Sequence, residues 1–174
     1  FVSLAEAQGY ASHRMLVLDF GMAREQSVDR SLVRSLLDLP GESGADARER
    51  ALESAIRDGM LGEPDRVFMN ELLALPQGVK LRSLYDAMDA DTRERGKLDS
   101  LLRLLQAACA QQSQLILIED IHWAETALLR TLAQLSQGLI DQPCVLLMTS
   151  RIEGDPLDQV WKQHAGDLPL VTFE

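Results

Sequence analysis

Two clusters of polar side chains, each directly after a short apolar run, carry groups suited to metal and phosphate chemistry. The clusters are Glu119, Asp120 and His122, and Thr149, Ser150 and Arg151. One carboxylate can hold Mg²⁺, a neighbouring one can polarise an attacking water, and an arginine can stabilise charge on a transferred phosphoryl group. If the two clusters meet, their residue types predict metal-assisted phosphoryl chemistry.

Each cluster also has a purely structural interpretation. Glu119 and Asp120 could solvate a strand end or cap the next helix, and Arg151 could pair with Asp155 or Glu153 on the surface. A fold that turns both clusters toward one crevice would favour the chemical interpretation.

Short apolar runs predict the elements that position the clusters. Leu115 to Ile118 and Val145 to Met148 are strand-like, and between them Thr126 to Leu135 has helical spacing that ends near Gly138. Such a βαβ unit requires parallel strands joined by a right-handed crossover. Ligands of open α/β sheets bind beyond the carboxyl ends of the strands, where both clusters are therefore expected.

Other segments complete the predicted α/β fold. Met15 to Leu18 is expected to be a strand covered on both faces, Leu168 to Phe173 a weaker edge strand, and Phe1 to Ala11 the end of a helix. At about 27–112 the apolar spacing is helical, and glycines and prolines divide this insert into four or five helices. We therefore expect helices layered on a parallel sheet, with a large helical insert, in one domain spanning 1–174.

Composition limits the partners and the location. The formal net charge of -10 repels nucleic-acid phosphates and anionic membranes, and no apolar run approaches the roughly twenty residues that cross a bilayer. Cys109 and Cys144 lack CxxC spacing, which is typical of buried thiols in a reducing cytosol, although a bridge stays open. We expect a cytoplasmic protein without direct contact to nucleic acid or membrane.

The stretch LILIEDIHWAE at Leu115 to Glu125 and the run LLMTSR ending at Arg151 resemble one known family. They are similar to the STAND branch of P-loop (AAA+-like) ATPases, in particular to modules attached to class III adenylate or guanylate cyclases and to LuxR-type regulators. There the first stretch is the Walker B strand and the second the sensor strand. LDFG at Leu18 to Gly21 resembles the family's second strand, and the insert has the family's length and leucine-rich texture.

The resemblance implies a three-layer P-loop fold and a role for each candidate residue. Glu119 would take the metal-associated position and Asp120 the catalytic or water-orienting one, with both as candidate Mg²⁺ ligands and their separate roles open. Arg151 would be the third catalytic residue. The implied nucleotide-binding residues are Thr149, Ser150 and His122.

Two aromatic residues beside the acidic pair have alternative roles. His122 could sense the nucleotide, or it could begin the next helix with its ring satisfied locally. Trp123 is expected to pack the loop rather than to stack on adenine, because aromatic bulk at a strand-helix junction usually fills core.

A Walker A loop, GxxxxGK followed by Ser or Thr, does not occur in the 174 residues. Such a loop wraps the phosphates with backbone amides and a lysine. The resemblance therefore implies a fragment beginning downstream of Walker A and lacking its strand, with Mg²⁺ and ATP bound only in the parent protein. The family's strand order, 5-1-4-3-2, then predicts an open sensor-strand edge that either pairs with another chain, as in a dimer, or takes up 168–173.

The implied function is an ATP-binding or hydrolysing regulatory switch in a multidomain signalling protein. Its partners would be ATP and an attached cyclase, DNA-binding or other signalling domain, and the isolated fragment would be inactive. An alternative of another class is a nucleotide-free helical protein-interaction module, in which 27–112 binds protein and the acidic pair is vestigial. A receiver domain phosphorylated on Asp120 fits poorly, because receivers need acidic residues after their first strand.

Overall fold

The two apolar runs that precede the polar clusters lie in neighbouring strands of a parallel sheet. The computed structural model describes residues 1–17, 27–151, 157 and 161–173. Its strands are β1 (Ala11–Leu16), β2 (Gln114–Glu119) and β3 (Cys144–Met148), in the order β1-β2-β3. The register pairs Met15 with Ile118 and Ile118 with Met148, so all three carboxyl ends lie at one edge.

The chain divides into two units, which are described separately. One unit, the sheet unit, comprises Phe1–Arg24 and Ser113–Glu174, and the other, the helical unit, comprises Glu25–Gln112. The fold is thus mixed α/β, with a small three-stranded parallel sheet and many helices.

The central position of β2 in the sheet explains why its apolar run is continuous. Residues 114–118 are all buried, although successive side chains point to opposite faces of the sheet. Both faces are therefore covered at β2, as a parallel strand between two neighbours requires. The predicted strands at 115–118 and 145–148 and the parallel βαβ unit are confirmed.

The first strand differs from its prediction. β1 begins at Ala11 instead of Met15, and its burial alternates: His13 and Met15 are buried, whereas Arg14 and Leu16 are exposed. The expectation of a strand covered on both faces is wrong here, because β1 buries one face only. Leu18 and the LDFG segment at 18–21 lie outside the described residues.

Within its described residues the sheet unit contains three α-helices: α1 (Val2–Ala7), α7 (Thr126–Gly138) and α8 (Lys162–Ala165). The crossover helix α7 buries Leu129, Leu132 and Ala133, and Gln137 Nε2 donates to the carbonyl oxygen of His164 in α8, 3.3 Å away. After α8, residues 168–173 form no strand, so the predicted fourth strand is wrong and this segment does not fill an edge of the sheet.

The helical unit contains five α-helices within its described residues. They are α2 (Val28–Leu36), α3 (Ala45–Arg57), α4 (Arg66–Leu72), α5 (Val79–Asp86) and α6 (Ala90–Gln111). α6 begins where the Asp89 carboxylate accepts the Thr92 backbone N–H at 2.7 Å, a standard N-cap. It buries Leu101, Leu104, Leu105 and Ala108, the i, i+3, i+4, i+7 stripe of an amphipathic helix.

One buried charge is fixed inside the helical unit. Asp65, at the end of a short 3₁₀ turn (Glu63–Asp65), has a side chain that is 4% exposed. Its Oδ1 accepts from Ser100 Oγ at 2.7 Å and from Arg103 Nε at 2.9 Å, and its Oδ2 accepts the Gly62 N–H at 2.8 Å. These bonds join the turn before α4 to the middle of α6.

Two further findings concern the helices and the cysteines. No helix in the described part of the chain is both long and apolar enough to cross a membrane. Cys109 is buried in α6, Cys144 is half-buried at the start of β3, and neither takes part in a disulfide.

Candidate functional site

Two of the predicted site residues meet where β2 and β3 end. The backbone N–H of Asp120 donates to Thr149 Oγ1 at 3.2 Å, and the N–H of Ile121 donates to the Thr149 carbonyl oxygen at 2.9 Å. The N–H of Thr149 in turn donates to the Ile118 carbonyl oxygen at 3.0 Å. The parallel pairing therefore extends one residue past both strands and holds Asp120 beside Thr149.

Asp120 makes the turn out of β2. Its backbone is left-handed, with φ 59° and ψ 41°, a conformation that aspartate tolerates better than most residues. A single 3₁₀ turn, Ile121–Trp123, follows, and Ile121 is fully buried. The Asp120 side chain is 52% exposed, so its carboxylate is open to solvent at the edge of the sheet.

Glu119 is held by an arginine from the neighbouring strand. In the register Arg14 of β1 lies opposite Leu117, so Glu119 is its diagonal neighbour on the same face. Arg14 Nη2 donates to Glu119 Oε1 at 3.0 Å, and Arg14 Nε donates to Oε2. The hydrogen bonds and charge of Arg14 lower the pKa of Glu119, so the carboxylate is ionised and bound at both oxygens.

The His122 side chain is buried and has no hydrogen-bond partner among the described residues. Its side chain is 7% exposed, and neither ring nitrogen has a partner among the described residues. Its Nδ1 lies 3.9 Å from Asp120 Oδ1, beyond hydrogen-bond distance. No described residue satisfies the His122 ring, so both interpretations of His122 stay open, and a buried ring without a described partner calls for an explanation.

Arg151 lies near the aromatic pair. Its Cζ is 5.8 Å from the centroid of the Trp123 ring, at the outer limit of a cation–π contact, and the Trp123 ring lies 5.0 Å from the His122 ring. Ser150 Oγ donates to the Arg151 carbonyl oxygen at 3.2 Å. Asp155 and Glu153, the alternative partners of Arg151, lie outside the described residues.

The donor set limits how a metal could bind. Within the described residues, no group of three or more His, Cys, Asp or Glu side chains is arranged to hold a metal ion. Asp120 offers an exposed carboxylate, whereas both Glu119 oxygens already accept from Arg14. This set fits Mg²⁺ bound through one or two carboxylates with water and phosphate oxygens as the other ligands, rather than a cage made by the protein alone.

Arg14 is the residue that the sequence did not reveal. The sequence shows only a charged residue next to an apolar run. The contact of Arg14 with Glu119 depends on the β1–β2 register, which cannot be read from the sequence. The other candidate residues come directly after β2 or β3, as predicted: Asp120, His122, Thr149, Ser150 and Arg151. Asp120 and Thr149 are joined by a hydrogen bond.

No protein-family model, curated protein or solved structure matches this chain.

Proposed function

We propose that this chain carries the metal-facing part of an ATP-binding regulatory switch of the P-loop class, similar to the STAND modules of cyclases and transcription regulators. One observation carries the proposal: the acidic end of β2 and the hydroxyl-rich end of β3 are joined at one edge of a parallel sheet, through Asp120 and Thr149. Ligands of open α/β sheets bind at such an edge.

Each residue at this edge has a chemical role in the proposal. Asp120 and Glu119 would hold Mg²⁺, directly or through water. If only one of them is a ligand, the other would orient the attacking water. A bound Mg²⁺ would neutralise negative charge on the phosphate oxygens. Arg151 stabilises the charge of the transferred phosphoryl group, and the hydroxyls of Thr149 and Ser150 donate to the nucleotide.

His122 has a specific place in this scheme. A nearly buried imidazole with two unbonded nitrogens is costly unless a ligand completes its hydrogen bonds. Because it lies 3.9 Å from Asp120, it is positioned to respond to whatever the carboxylate binds. We assign it the role of a sensor of nucleotide state.

The proposal requires a phosphate-binding loop supplied from outside the 174 residues, since they contain no GxxxxGK run. The ATP site would thus be complete in a longer, cytoplasmic signalling protein, whose output domain would be a cyclase, a DNA-binding domain or another signalling domain. A dimer through the β3 edge remains a proposal for the isolated chain, since β3 ends the sheet in the described residues.

One observation favours the alternative function. Arg14 binds both oxygens of Glu119, as expected if the acidic pair has become structural. In that case the helical unit would be a nucleotide-free module for binding protein.

Calorimetry with Mg-ATP distinguishes the two functions. We expect the protein encoded by the complete gene to bind Mg-ATP, and Asp120→Asn to weaken this binding about tenfold or more, as loss of a metal contact does. Residues 1–174 alone should bind ATP negligibly. Asp141→Asn is the matched control, because it removes the same charge at an exposed position of the same unit.

Two results would overturn the proposal. One is a complete protein without ATP affinity, encoded by a gene without a glycine-rich lysine loop. The other is equal Mg-ATP binding by the Asp120→Asn and Asp141→Asn variants, which would remove Asp120 from the site.

A further inference from the structure

Strand β3 has unused hydrogen-bonding groups along its outer side. Thr149 points both its N–H and its carbonyl oxygen toward β2, where they bond to Ile118 and Ile121. This direction alternates along a strand, so Leu146 and Met148 point their N–H and carbonyl groups away from β2. Because β3 ends the sheet in the described part of the chain, no strand there meets these groups. An open strand edge of this kind is a template for pairing with another chain.

The side chains of β3 are also incompletely covered on one face. Val145 and Leu147 share this face with Leu115 and Leu117 of β2, which lie opposite them in the register. The two β2 side chains are buried, whereas Val145 is 41% exposed and Leu147 is half-buried. A strand added beyond β3 would place its own side chains beside Val145 and Leu147. Among the described residues, the outer side of β3 therefore lacks both a backbone partner and an apolar neighbour.

The segment 168–173 has apolar side chains and unpaired backbone groups of its own. No hydrogen bond is found for residues 170–173 within the ranges that the structure describes. Val171 and Phe173 are 71% and 83% exposed, and in an extended chain they lie on the same face. Pro169 lacks an N–H, which is compatible with the position just before a strand or at its first residue. The segment is thus suited to pair as a short strand from Leu170 onward.

We propose that two copies of this chain form a dimer in which residues 170–173 of each copy pair, as a fourth strand, with β3 of the other. The inference goes beyond the proposed function, since it requires neither nucleotide nor metal, and it names the strand that closes the open edge. Main-chain hydrogen bonds supply affinity in such strand addition, and alternate side chains supply specificity. Val171 and Phe173 of one copy cover Val145 and Leu147 of the other. Each copy gives one strand and receives one, so the exchange closes with two-fold symmetry.

Charge favours these two elements as the contact between copies. The chain has a formal net charge of -10, so two copies repel each other over most of their surfaces. Neither β3 at 144–148 nor the segment 168–173 contains Asp, Glu, Lys or Arg. Pairing between them brings no like charges into contact, and salt screens the remaining repulsion. We therefore expect the dimer to become more stable as the salt concentration rises.

Sedimentation equilibrium of residues 1–174 tests the inference. We expect a reversible dimer with a dissociation constant in the micromolar range, as small interfaces give. Val171→Asp should weaken the dimer about tenfold or more, because a charge would be buried against apolar side chains. It should leave the fold of each copy unchanged, since Val171 is exposed. Val79→Asp is the matched control, because it makes the same substitution at an 86% exposed position of α5 and should leave the dimer unchanged.

Val145→Lys tests the contact from the β3 side. Alone it should weaken the dimer as Val171→Asp does. In the Val145→Lys/Val171→Asp double variant the two new charges are opposite and face each other across the copies, so part of the affinity should return. A double variant that dimerises no better than either single variant would contradict the pairing.

Hydrogen exchange identifies the paired elements. The amides of Leu146 and Met148, and those of 170–173 that face β3, should exchange more slowly as the protein concentration rises. Protection that does not depend on concentration would show that the segment pairs with β3 of its own chain, and a dimer without this protection would place the contact elsewhere. Either result would overturn the inference.

Two outcomes of the sedimentation experiment would overturn it as well. One is a chain that stays monomeric up to about 1 mM, which is weaker than any specific dimer of use in solution. The other is an equal loss of affinity in Val171→Asp and Val79→Asp, which would trace the loss to net charge. These experiments contain no nucleotide, so their failure leaves the proposed ATP site untouched, and absence of ATP binding leaves the dimer untouched.

Discussion

One aspartate of the helical unit, Asp65, and one of the sheet unit, Asp120, have opposite surroundings. In the helical unit the Asp65 carboxylate is 4% exposed and accepts hydrogen bonds from Ser100, Arg103 and Gly62. In the sheet unit the Asp120 carboxylate is 52% exposed, and His122 beside it is buried without a hydrogen bond. The Asp65 carboxylate is thus fully hydrogen-bonded, whereas Asp120 and His122 have unused bonding capacity among the described residues.

This difference separates a structural polar group from a functional candidate. A fully satisfied buried network makes a fold rigid, whereas an unsatisfied buried group lowers stability unless a ligand completes it. We therefore expect substitution of Asp65 to change stability and substitution of Asp120 to change ligand binding.

Asp65→Asn should cost the most stability. The amide NH₂ would face either the Gly62 N–H or the donors of Ser100 and Arg103, so at least one bond to a side chain that is 4% exposed would be lost. We expect a loss of about 2–4 kcal/mol in the free energy of unfolding, measured by urea denaturation. Glu63→Gln, in the same turn but 69% exposed, and Glu119→Gln in the sheet unit should each cost far less. Equal losses of unfolding free energy in all three variants would show that Asp65 is no more important for stability than the exposed carboxylates.

Asp65 should also make the free energy of unfolding depend on pH. Burial alone would raise the pKa of Asp65, but the hydrogen bonds from Arg103, Gly62 and Ser100 outweigh it and hold the pKa below the usual 3.8. Because the folded pKa is the lower one, this stabilisation is complete above the unfolded pKa and is lost as the pH falls through the folded value. The stability difference between the unchanged chain and Asp65→Asn should therefore be constant from about pH 7 to 5 and shrink below about pH 4. A difference that grows on acidification would contradict this assignment.

Gly96→Ala tests packing in the helical unit. A glycine inside a helix normally costs about 1 kcal/mol relative to alanine, so helix propensity alone predicts stabilisation. At Gly96 of α6, however, an added Cβ would lie 2.2 Å from Cε1 and Cζ of Phe68. We expect a net loss of about 1–3 kcal/mol in urea denaturation, typical of overpacking. In a Phe68→Leu background, which lacks these ring atoms, the same substitution should become neutral or stabilising, and stabilisation in the unchanged background would refute the contact.

Elements whose sequence pattern is local could be predicted, whereas elements that depend on distant parts of the chain could not. β2, β3 and α7 were predicted because their periodicity is local and their parallel pairing follows from the single-helix crossover. β1 was placed too late, because its first half carries Ser12, His13 and Arg14 and buries one face only. The apolar pattern at 168–173 is compatible with a strand but does not create one, since a strand needs a neighbour with which to pair.

Some contacts of the candidate site could likewise be predicted from the sequence, and others could not. Asp120 and Thr149 could be brought together from topology alone, because parallel strands end at one edge. The Arg14–Glu119 pair could not, since a shift of one residue in the β1–β2 register would move Arg14 to the other face. The unpaired nitrogens of His122 were equally inaccessible, because they depend on packing in three dimensions.

Thr149→Val should have the smallest effect on stability and the most local one. Valine keeps the shape of threonine but removes the Oγ1 that accepts the Asp120 N–H at 3.2 Å. Because Thr149 and Asp120 are exposed, water can replace the lost bond, and we expect a change in unfolding free energy below about 1 kcal/mol. Hydrogen exchange of the Asp120 amide should become faster, whereas Thr149→Ser, which retains the hydroxyl, should leave it unchanged. If Thr149→Val instead cost as much stability as Asp65→Asn, the sheet edge would be a structural network like that of the helical unit.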